Sequence, residues 1–340
     1  RSTLFPYTTL FRSRTGDLHR IGRPDGHDRH DPARLVGRHP RGGRHPARQA
    51  AGARTAGRIH RRGGRAGRGG DGQCAGTGVA ALQPGRAYIN LGTAVVAGTY
   101  SAHYGHDPAF RTEIAIADEG YIFETCVRSG TFLLDWLAGE MFGVEPARKV
   151  ELLSRLEAEA AASPVGAGGV VLMPYWQGCM TPHWDSAARG VIAGLSGSTK
   201  KGDIYRAVLE GLALDQGDAA ERAAKVIGTP IDHYVAIGGG AASDLWMQIL
   251  ADATARPVLR STAIEASSLG AAMAAAKGAG WFPTIAEASS AMASATVQKF
   301  EPDAANAAAY AELRDIYTDL WPTLSAWNRR LADFVEGQAE

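Results

Sequence analysis

The sequence of 340 residues is poor in cysteine and has no long run of apolar residues. Its three cysteines, Cys74, Cys126 and Cys179, show no local pairing pattern, which excludes a small disulfide-stapled fold and favours reduced thiols in a cytoplasmic protein. No stretch approaches the roughly 18 apolar residues of a membrane-spanning helix, so we expect no membrane partner. The opening residues also lack the apolar core and cleavage site of a secretory signal peptide.

Lysine is absent from the first 70 residues, and no aromatic residue follows Phe11 in that segment. These residues hold 17 Arg and 4 Asp, a formal charge of +13, whereas residues 71–340 carry −12. The overall charge of +1 is therefore a cancellation between two different compositions. A segment rich in Arg, Gly, His, Pro and Ala buries too little apolar surface to offset its chain entropy, so the leader, residues 1–66, is predicted to be disordered.

Three interpretations of this leader are open. Its composition is typical of GC-rich coding DNA translated in the wrong frame, and its opening letters, RSTLFPYTTLFRS, resemble a translated sequencing adapter. The alternatives are a genuine disordered tail and a basic arm for nucleic acid. We expect a mistranslated leader and no nucleic-acid partner, because basic arms usually mix Lys with Arg and the rest of this chain is acidic.

From residue 67 to about residue 336, strand patterns alternate with helix patterns, which predicts an α/β domain. Residues 87–100 alternate and are β-rich around a tight turn at Gly92 and Thr93, so they are predicted to form two strands. Ser129, Asp203 and Ser243 are predicted to start helices. Further strands are expected in GYIFETCV, VVLM, HYVAIGG and PVLRST, and further helices in 146–161, 265–280 and 302–335.

Three glycine-containing turns follow or interrupt predicted strands: GGDGQCAGTG, NLGTAVV and AIGGGAASDLW. Backbone N–H groups in such turns, or at a helix start, are suited to bind phosphate oxygens. Each turn taken alone could simply reverse the chain, and GGG does not complete a dinucleotide-binding fingerprint. Three such turns together, one of them bearing an acid, indicate a site for nucleotide phosphates.

Asp71 is the sharpest catalytic candidate, because phosphoryl transfer needs a carboxylate to accept the proton of the attacking hydroxyl. The alternative is that Asp71 caps the helix that follows it. Cys74 lacks an evident His partner and is expected to be a small buried residue rather than a nucleophile. The histidines lack metal-ligand spacing, so no protein metal site is predicted. Trp184 and Asp185 could line a cleft or order their own loop.

The ordered motifs resemble the C-terminal lobe of the FGGY carbohydrate kinases. GVIAGLSGSTKKGDIYRAVLEGLALD, residues 190–215, is similar to the family's C-terminal signature, and AIGGGAASDLWMQILADATARPV is similar to its adenine-nucleotide loop and helix. GGDGQCAGTG followed by NLGTA is a third likeness. The resemblance implies an actin-like, ribonuclease-H-like ATPase fold over residues 67–336. We find no trace of the N-terminal lobe with which the family begins.

The resemblance also implies roles for particular residues. Asp71 stands where the family has its catalytic base, and Gly92 and Thr93 match the turn that holds the ATP phosphates. The remaining cofactor-binding positions are Gly197 in the signature loop and three around the adenosine and α-phosphate, Gly239, Gly240 and Ser243. ATP and Mg²⁺ are the implied cofactors.

The stretch PYWQGCMTPHWD looks most like xylulokinases, so the implied reaction is phosphorylation of a pentulose such as D-xylulose. Glycerol, ribulose and gluconate kinase activities are alternatives, as is a non-catalytic nucleotide-binding module of the same fold. A homo-oligomer is left open. We expect little kinase activity from the chain alone, because most sugar contacts come from the other lobe in this family.

Overall fold

The structure, a computed structural model, describes residues 70–116, 119–263, 265–293 and 295–338. The interpretations of residues 1–66 lie outside this part of the chain. The strands are β1 (Arg86–Leu91), β2 (Val95–Ser101), β3 (Arg111–Ile114), β4 (Tyr121–Val127), β5 (Val171–Met173), β6 (Val191–Ala193), β7 (His233–Ile237), β8 (Val258–Ser261) and β9 (Thr296–Phe300). The α-helices are α1 (Asp71–Gly78), α2 (Thr131–Trp136), α3 (Lys149–Ala161), α4 (Lys201–Ile227), α5 (Asp244–Thr254), α6 (Ala266–Gly278), α7 (Ile285–Met292), α8 (Ala304–Thr318) and α9 (Leu320–Glu336).

Seven of the described strands form one mixed sheet in the order β3-β4-β2-β1-β7-β8-β9. One half, β3-β4-β2-β1, is antiparallel throughout, while β1, β7 and β8 run parallel and β9 closes the edge in the antiparallel sense. β5 and β6 pair with each other in a separate hairpin. A parallel neighbour needs a long crossover connection, and α5 supplies it between β7 and β8.

Helices cover both faces of the sheet, as the consecutive buried residues Ala87, Tyr88 and Ile89 of β1 require. Tyr88 packs with Ala75 of α1, and with Val79 just after that helix, in one apolar cluster. Its neighbour Ile89 belongs to a larger cluster on the other face, which includes the apolar side chains of α4 and α5. The domain is therefore a three-layer α/β/α arrangement. In the described ranges, no helix is both long enough and apolar enough to cross a membrane.

Most predicted elements are confirmed, but two helix starts are wrong. Gly130, not Ser129, occupies the N-cap position of α2, because this helix begins in close contact with the β1–β2 turn. α4 begins at Lys201, two residues before Asp203, whose carboxylate accepts a hydrogen bond from the Lys200 amide at 2.8 Å. Ser243 does cap α5 by accepting from the Trp246 amide. The elements β3, α7 and β9 were not predicted.

α4 is a buried helix that carries charged residues into the interior. Arg206 donates to Glu210 at 2.6 Å and to the Tyr310 hydroxyl at 3.0 Å, and that hydroxyl donates to Glu210 at 2.8 Å. All three side chains are buried. Since buried charges are tolerated only when paired and hydrogen-bonded, this network fixes α4 against α8.

Asp215, five residues after Glu210 on α4, lies in a second buried polar cluster. Its Oδ1 accepts hydrogen bonds from the hydroxyls of Tyr175, at 2.7 Å, and Tyr317, at 3.2 Å. Tyr175 follows β5 and Tyr317 belongs to α8, so one carboxylate joins three segments. Burial raises the pKa of Asp215 to about 7, although the two tyrosine hydroxyls act in the opposite direction.

The loop that contains Trp184 and Asp185 forms hydrogen bonds within itself and with neighbouring segments. Asp185 accepts from the Ala187 amide at 2.8 Å and from Arg329 of α9 at 2.5 Å. The Trp184 indole donates to the Pro108 carbonyl at 2.8 Å. These contacts favour loop ordering, the second of the two interpretations that the sequence left open.

Replacement of Asp215 by Asn is expected to flatten the pH dependence of stability. A folded-state pKa above the unfolded value means that the ionised form disfavours folding, so stability falls as pH rises from 4 to 7. A shift from 3.8 to about 7 corresponds to a decline on the order of 4 kcal/mol. Urea unfolding at pH 5 and pH 8 measures the difference. Asp333→Asn, an exposed carboxylate on α9, is the control, and an unchanged pH slope in Asp215→Asn would contradict this assignment.

Candidate functional site

Two glycine-rich turns meet at one edge of the sheet because β1 and β7 pair in parallel. Asn90 lies opposite Ile237 in that pairing, so the turn at Gly92 and the loop at Gly238 leave the sheet side by side. Gly238 has φ +83°, and a Cβ there would collide with the Asn90 side-chain oxygen. A ligand cleft at the carboxyl ends of parallel strands is the usual arrangement in α/β proteins.

A third glycine, Gly130, packs directly on the Gly92–Thr93 turn. The Gly130 amide donates to the Thr93 carbonyl at 2.7 Å, and the Thr131 amide donates to the Gly92 carbonyl at 2.8 Å. A Cβ on Gly130 would lie 2.6 Å from the Gly92 oxygen. The start of α2 therefore supports this turn from behind, while Thr93 itself remains exposed.

The loop after β7 runs through Gly239 and Gly240 into α5, where Ser243 is buried and its hydroxyl is engaged twice. It accepts from the Trp246 amide at 3.0 Å and donates to Glu157 of α3 at 2.6 Å. Burial raises the pKa of Glu157, and the hydrogen bond from Ser243 opposes that shift. Gly240 has no room for a side chain, because a Cβ would contact the Trp246 ring, whereas Gly239 is exposed.

Arg260 of β8 braces the same loop. Its Nε donates to the Ala241 carbonyl at 2.7 Å and its Nη2 to Asp244 at 2.6 Å. The guanidinium also lies over the Phe300 ring, 5.0 Å from the centroid. The loop from Gly238 to Asp244 is thus held by side chains from β1, α3 and β8.

Gly197 lies in the exposed loop between β6 and α4, where nothing stands within 4 Å of its Cβ position. Hydroxyl groups crowd this loop: Thr199 accepts from the Ser196 amide at 2.9 Å, and the hydroxyls of Ser196 and Ser198 lie 2.9 Å apart. The first turn of α4 packs on the end of α3, where Ser163 donates to Asp203 at 2.6 Å. α3 therefore touches both the Ser243 helix start and the beginning of α4.

Asp71 is the first residue of α1 rather than part of a free turn, and Gly70 is the N-cap residue. Its exposed carboxylate accepts from the Gly72 amide at 3.0 Å, and its carbonyl accepts from the Ser267 hydroxyl at 2.9 Å. α1 packs very closely on α6, because Gly78 and Gly270 lack the side chains that would collide with the opposite backbone. The backbone that carries Asp71 is therefore firmly placed.

A buried acid that the sequence reading missed, Glu124 of β4, lies directly under α1. It accepts from the Tyr88 hydroxyl at 3.1 Å and from Arg111 Nε at 2.7 Å, and a side chain on Gly72 would overlap it. Arg111 also pairs with Glu113 at 3.1 Å. Burial, then Glu124, raises the pKa of Glu113, and Asp71 acts in the same direction. Two acids, Glu113 and Glu124, thus pair with Arg111 below this end of α1.

The three cysteines are buried, and the described acids form no metal-binding group. None of the three cysteines forms a disulfide; all are buried, and burial is the main cause that raises their pKa values, to about 11 for Cys126 and about 12 for Cys179. Across the described ranges, no group of three His, Cys, Asp or Glu side chains is arranged to hold a metal ion. Cys74 is the small buried residue that was predicted.

The structure brings the Gly92–Thr93 turn together with the loop at Gly239 and Gly240, and it packs Ser243 and the helix after Gly197 on α3. Asp71 lies elsewhere, over the antiparallel half of the sheet above Glu124. Sequence reasoning missed Gly130, Glu157 and Glu124. Of these three residues, only Gly130 could have been found in the sequence, because the other two turns also carry glycine ahead of a helix.

Comparisons with known proteins agree with this architecture. The sequence profile of the FGGY family of carbohydrate kinases, C-terminal domain, matches residues 87–279. The xylulose kinase of Bacillus subtilis (strain 168) is 29% identical over 271 residues, which are 78% of this chain and 52% of that protein. The glycerol kinase of Geobacter sp. (strain M21) is 36% identical over 242 residues, 70% of this chain and 47% of that one. The chain spans about half the length of these relatives.

Solved structures show the same half-length match. The ligand-bound xylulose kinase from Lactobacillus acidophilus superposes with a TM-score of 0.69 at 24% identity, covering 77% of this chain and 52% of that one. The xylulose kinase from Rhodospirillum rubrum gives a TM-score of 0.66 at 28% identity, covering 75% and 50%. The predicted actin-like ATPase fold is confirmed. The chain belongs to the FGGY family of carbohydrate kinases, and the match lies in the family's C-terminal domain.

Proposed function

We propose that this domain binds Mg-ATP and supplies the general base of a sugar kinase that phosphorylates a pentulose such as D-xylulose. The observation that carries the proposal is the pairing of β1 with β7, which sets the Gly92–Thr93 turn beside the loop at Gly239. Backbone amides and a Thr hydroxyl at such an edge are suited to phosphate oxygens. The folded domain in this proposal is residues 67–336, with residues 1–66 as a leader outside it.

In this proposal Gly92 and Thr93 contact the β- and γ-phosphates, while Gly239, Gly240 and the start of α5 contact the α-phosphate and adenosine. Ser243 acts by capping α5, because both hydrogen-bonding roles of its hydroxyl are used within the protein. Gly197 borders the nucleotide across the end of α3. Mg²⁺ is commonly held by one or two carboxylates together with substrate phosphates, so we expect it to arrive with ATP.

Asp71 is proposed to accept the proton of the sugar hydroxyl as that oxygen attacks the γ-phosphorus in line. The exposure of this carboxylate and the hydrogen bond that holds its backbone support the role, because a general base must be both accessible and positioned. The identity of the sugar rests on the relatives, which include xylulose, glycerol and gluconate kinases. The xylulose kinases of Bacillus subtilis, at 29% identity, and Rhodospirillum rubrum, at 28% identity, favour the pentulose.

Replacement of Gly238 by Ala is expected to weaken binding of ATP to the purified chain by at least tenfold. A Cβ at φ +83° would be strained and would collide with Asn90, so the loop would shift away from the Gly92 turn. Calorimetric titration with Mg-ATP measures the loss. Gly280→Ala is the matched control, since Gly280 also has a positive φ, +81°, but open space around it. Equal affinity in Gly238→Ala and wild type would contradict the assignment of this loop.

Asp71→Asn is expected to lower kcat by about 10² to 10⁴, the usual contribution of a general base, with little change in ATP affinity. The measurement uses a chimera in which the amino-terminal half of the Bacillus subtilis xylulose kinase precedes residue 67. The chain alone, with Mg-ATP and D-xylulose, supplies the baseline and is expected to turn over little. Asp135→Asn, an exposed acid at the end of α2, is the control.

The outcomes separate the candidate functions. If the chimera with the amino-terminal half of the Bacillus subtilis enzyme binds ATP but does not turn over, a non-catalytic nucleotide-binding module would be favoured. Turnover of glycerol or gluconate in preference to D-xylulose would correct the substrate. Full activity of Asp71→Asn would remove Asp71 from the mechanism while leaving the nucleotide site intact.

A further inference from the structure

A cavity of about 480 Å³ opens at the end of the sheet opposite the glycine turns. It lies where α4 ends and β7 begins, and Ile231, Tyr234 and Thr254 contribute to its wall. Tyr234 is four residues before Gly238, so the cavity is separated from the glycine loop by about 13 Å of strand. It is therefore a second concave site and not an extension of the first. Its volume is within the range of small-molecule sites.

The charges at this cavity are unevenly balanced. Glu221, its acidic residue, is paired with Arg314 at 2.6 Å. Lys225 and Arg256 also line the cavity, and in the described part of the chain neither forms an ion pair. Among the described residues, the Arg256 guanidinium donates a hydrogen bond only to the carbonyl of its neighbour Ala255, at 3.2 Å. Two cations thus border the cavity without an acidic partner.

The wall between these cations is mainly apolar but includes one phenol. Ala224, Pro230 and Ile231 are apolar, and Tyr234 is nearly buried. Burial raises the pKa of Tyr234, so its hydroxyl stays protonated and remains a hydrogen-bond donor at neutral pH. The charges of Glu221, Arg256 and Arg314 are close enough to act on that phenol. Cationic groups beside an apolar wall match a ligand that carries an anionic group on an apolar body.

We propose that this cavity binds a small amphipathic carboxylate, with its carboxylate between Lys225 and Arg256 and its apolar body against Ile231. The proposal does not depend on kinase activity, because the cavity and the glycine turns lie at opposite ends of β7. The same two elements, α4 and β7, border both places. A ligand at one end therefore contacts elements that also build the other.

Phenylacetate is the test ligand, and 2-phenylethanol is its uncharged control. Calorimetric titration of the purified chain is expected to give saturable binding of phenylacetate at millimolar concentration or below, and binding of 2-phenylethanol at least tenfold weaker. The Ile231 methyl resonances are expected to shift with the same titration curve. Equal binding of the two compounds, no binding of phenylacetate, or no response at Ile231 would overturn the proposal.

Variants locate the site. The double variant Lys225→Met, Arg256→Met is expected to lose at least tenfold in phenylacetate affinity, and Ala224→Phe is expected to abolish binding by filling the cavity. Arg330→Met, an exposed arginine on α9, should bind as the wild type does. Unfolding midpoints by circular dichroism establish that each variant folds. Retained affinity in the folded double variant, or displacement of phenylacetate by Mg-ATP, would place the ligand elsewhere and overturn the proposal.

Discussion

The parallel pairing of β1 with β7 is the constraint on which the rest of the site depends. Five residue pairs, from Arg86 with His233 to Asn90 with Ile237, fix the register between two strands that lie more than 140 residues apart in sequence. A slip of one residue would exchange the two faces of β7, so Val235 and Ile237 would leave the apolar cluster beneath α1 for the face covered by α4 and α5. The register also places Asn90 against Gly238. The Gly92–Thr93 turn and the loop at Gly238 are therefore neighbours because of the strand pairing.

α4 transmits this constraint to the rest of the domain. It crosses from β6 to β7 and packs along the face that carries Ile89, and it contains Arg206, Glu210 and Asp215 in buried positions. Each of these charges is met by a tyrosine from another segment. An apolar surface at these positions would allow α4 to slide, whereas directional hydrogen bonds hold one arrangement. The start of α4 at the Gly197 loop is therefore fixed by contacts made two and more turns further on.

Much of the architecture was readable in the sequence, because alternation and capping are local signals. The β1–β2 hairpin, β7 and the Ser243 cap follow from spacing alone. β3 was missed since its four residues, RTEI, are only partly buried and show no apolar pattern. Ser129 was predicted as the cap because serine is a common N-cap residue, whereas the observed start at Gly130 depends on contact with a turn 37 residues earlier in the chain.

The missed acids illustrate a different limit. Glu124 sits among apolar residues in the strand YIFETCV, where a buried carboxylate has no local justification. Its partners, Tyr88 and Arg111, come from two other strands, so its burial can be explained only after the sheet is assembled. Glu157 is similar, because its partner Ser243 is 86 residues away. Secondary-structure propensity and hydrophobic periodicity describe the helix or strand to which a residue belongs, and they carry no information about such distant partners.

The placement of Asp71 shows how these levels combine. The sequence left open whether this acid caps the helix that follows it or serves as a catalytic base, and the observed helix has Gly70, not Asp71, at its N-cap position. The backbone of Asp71 is held by Ser267 from α6, and the next residue lies on Glu124. The carboxylate itself is exposed. Rigid support below an accessible oxygen suits the proposed role in proton transfer, because the entropy cost of positioning the carboxylate is met when the protein folds and not during the reaction.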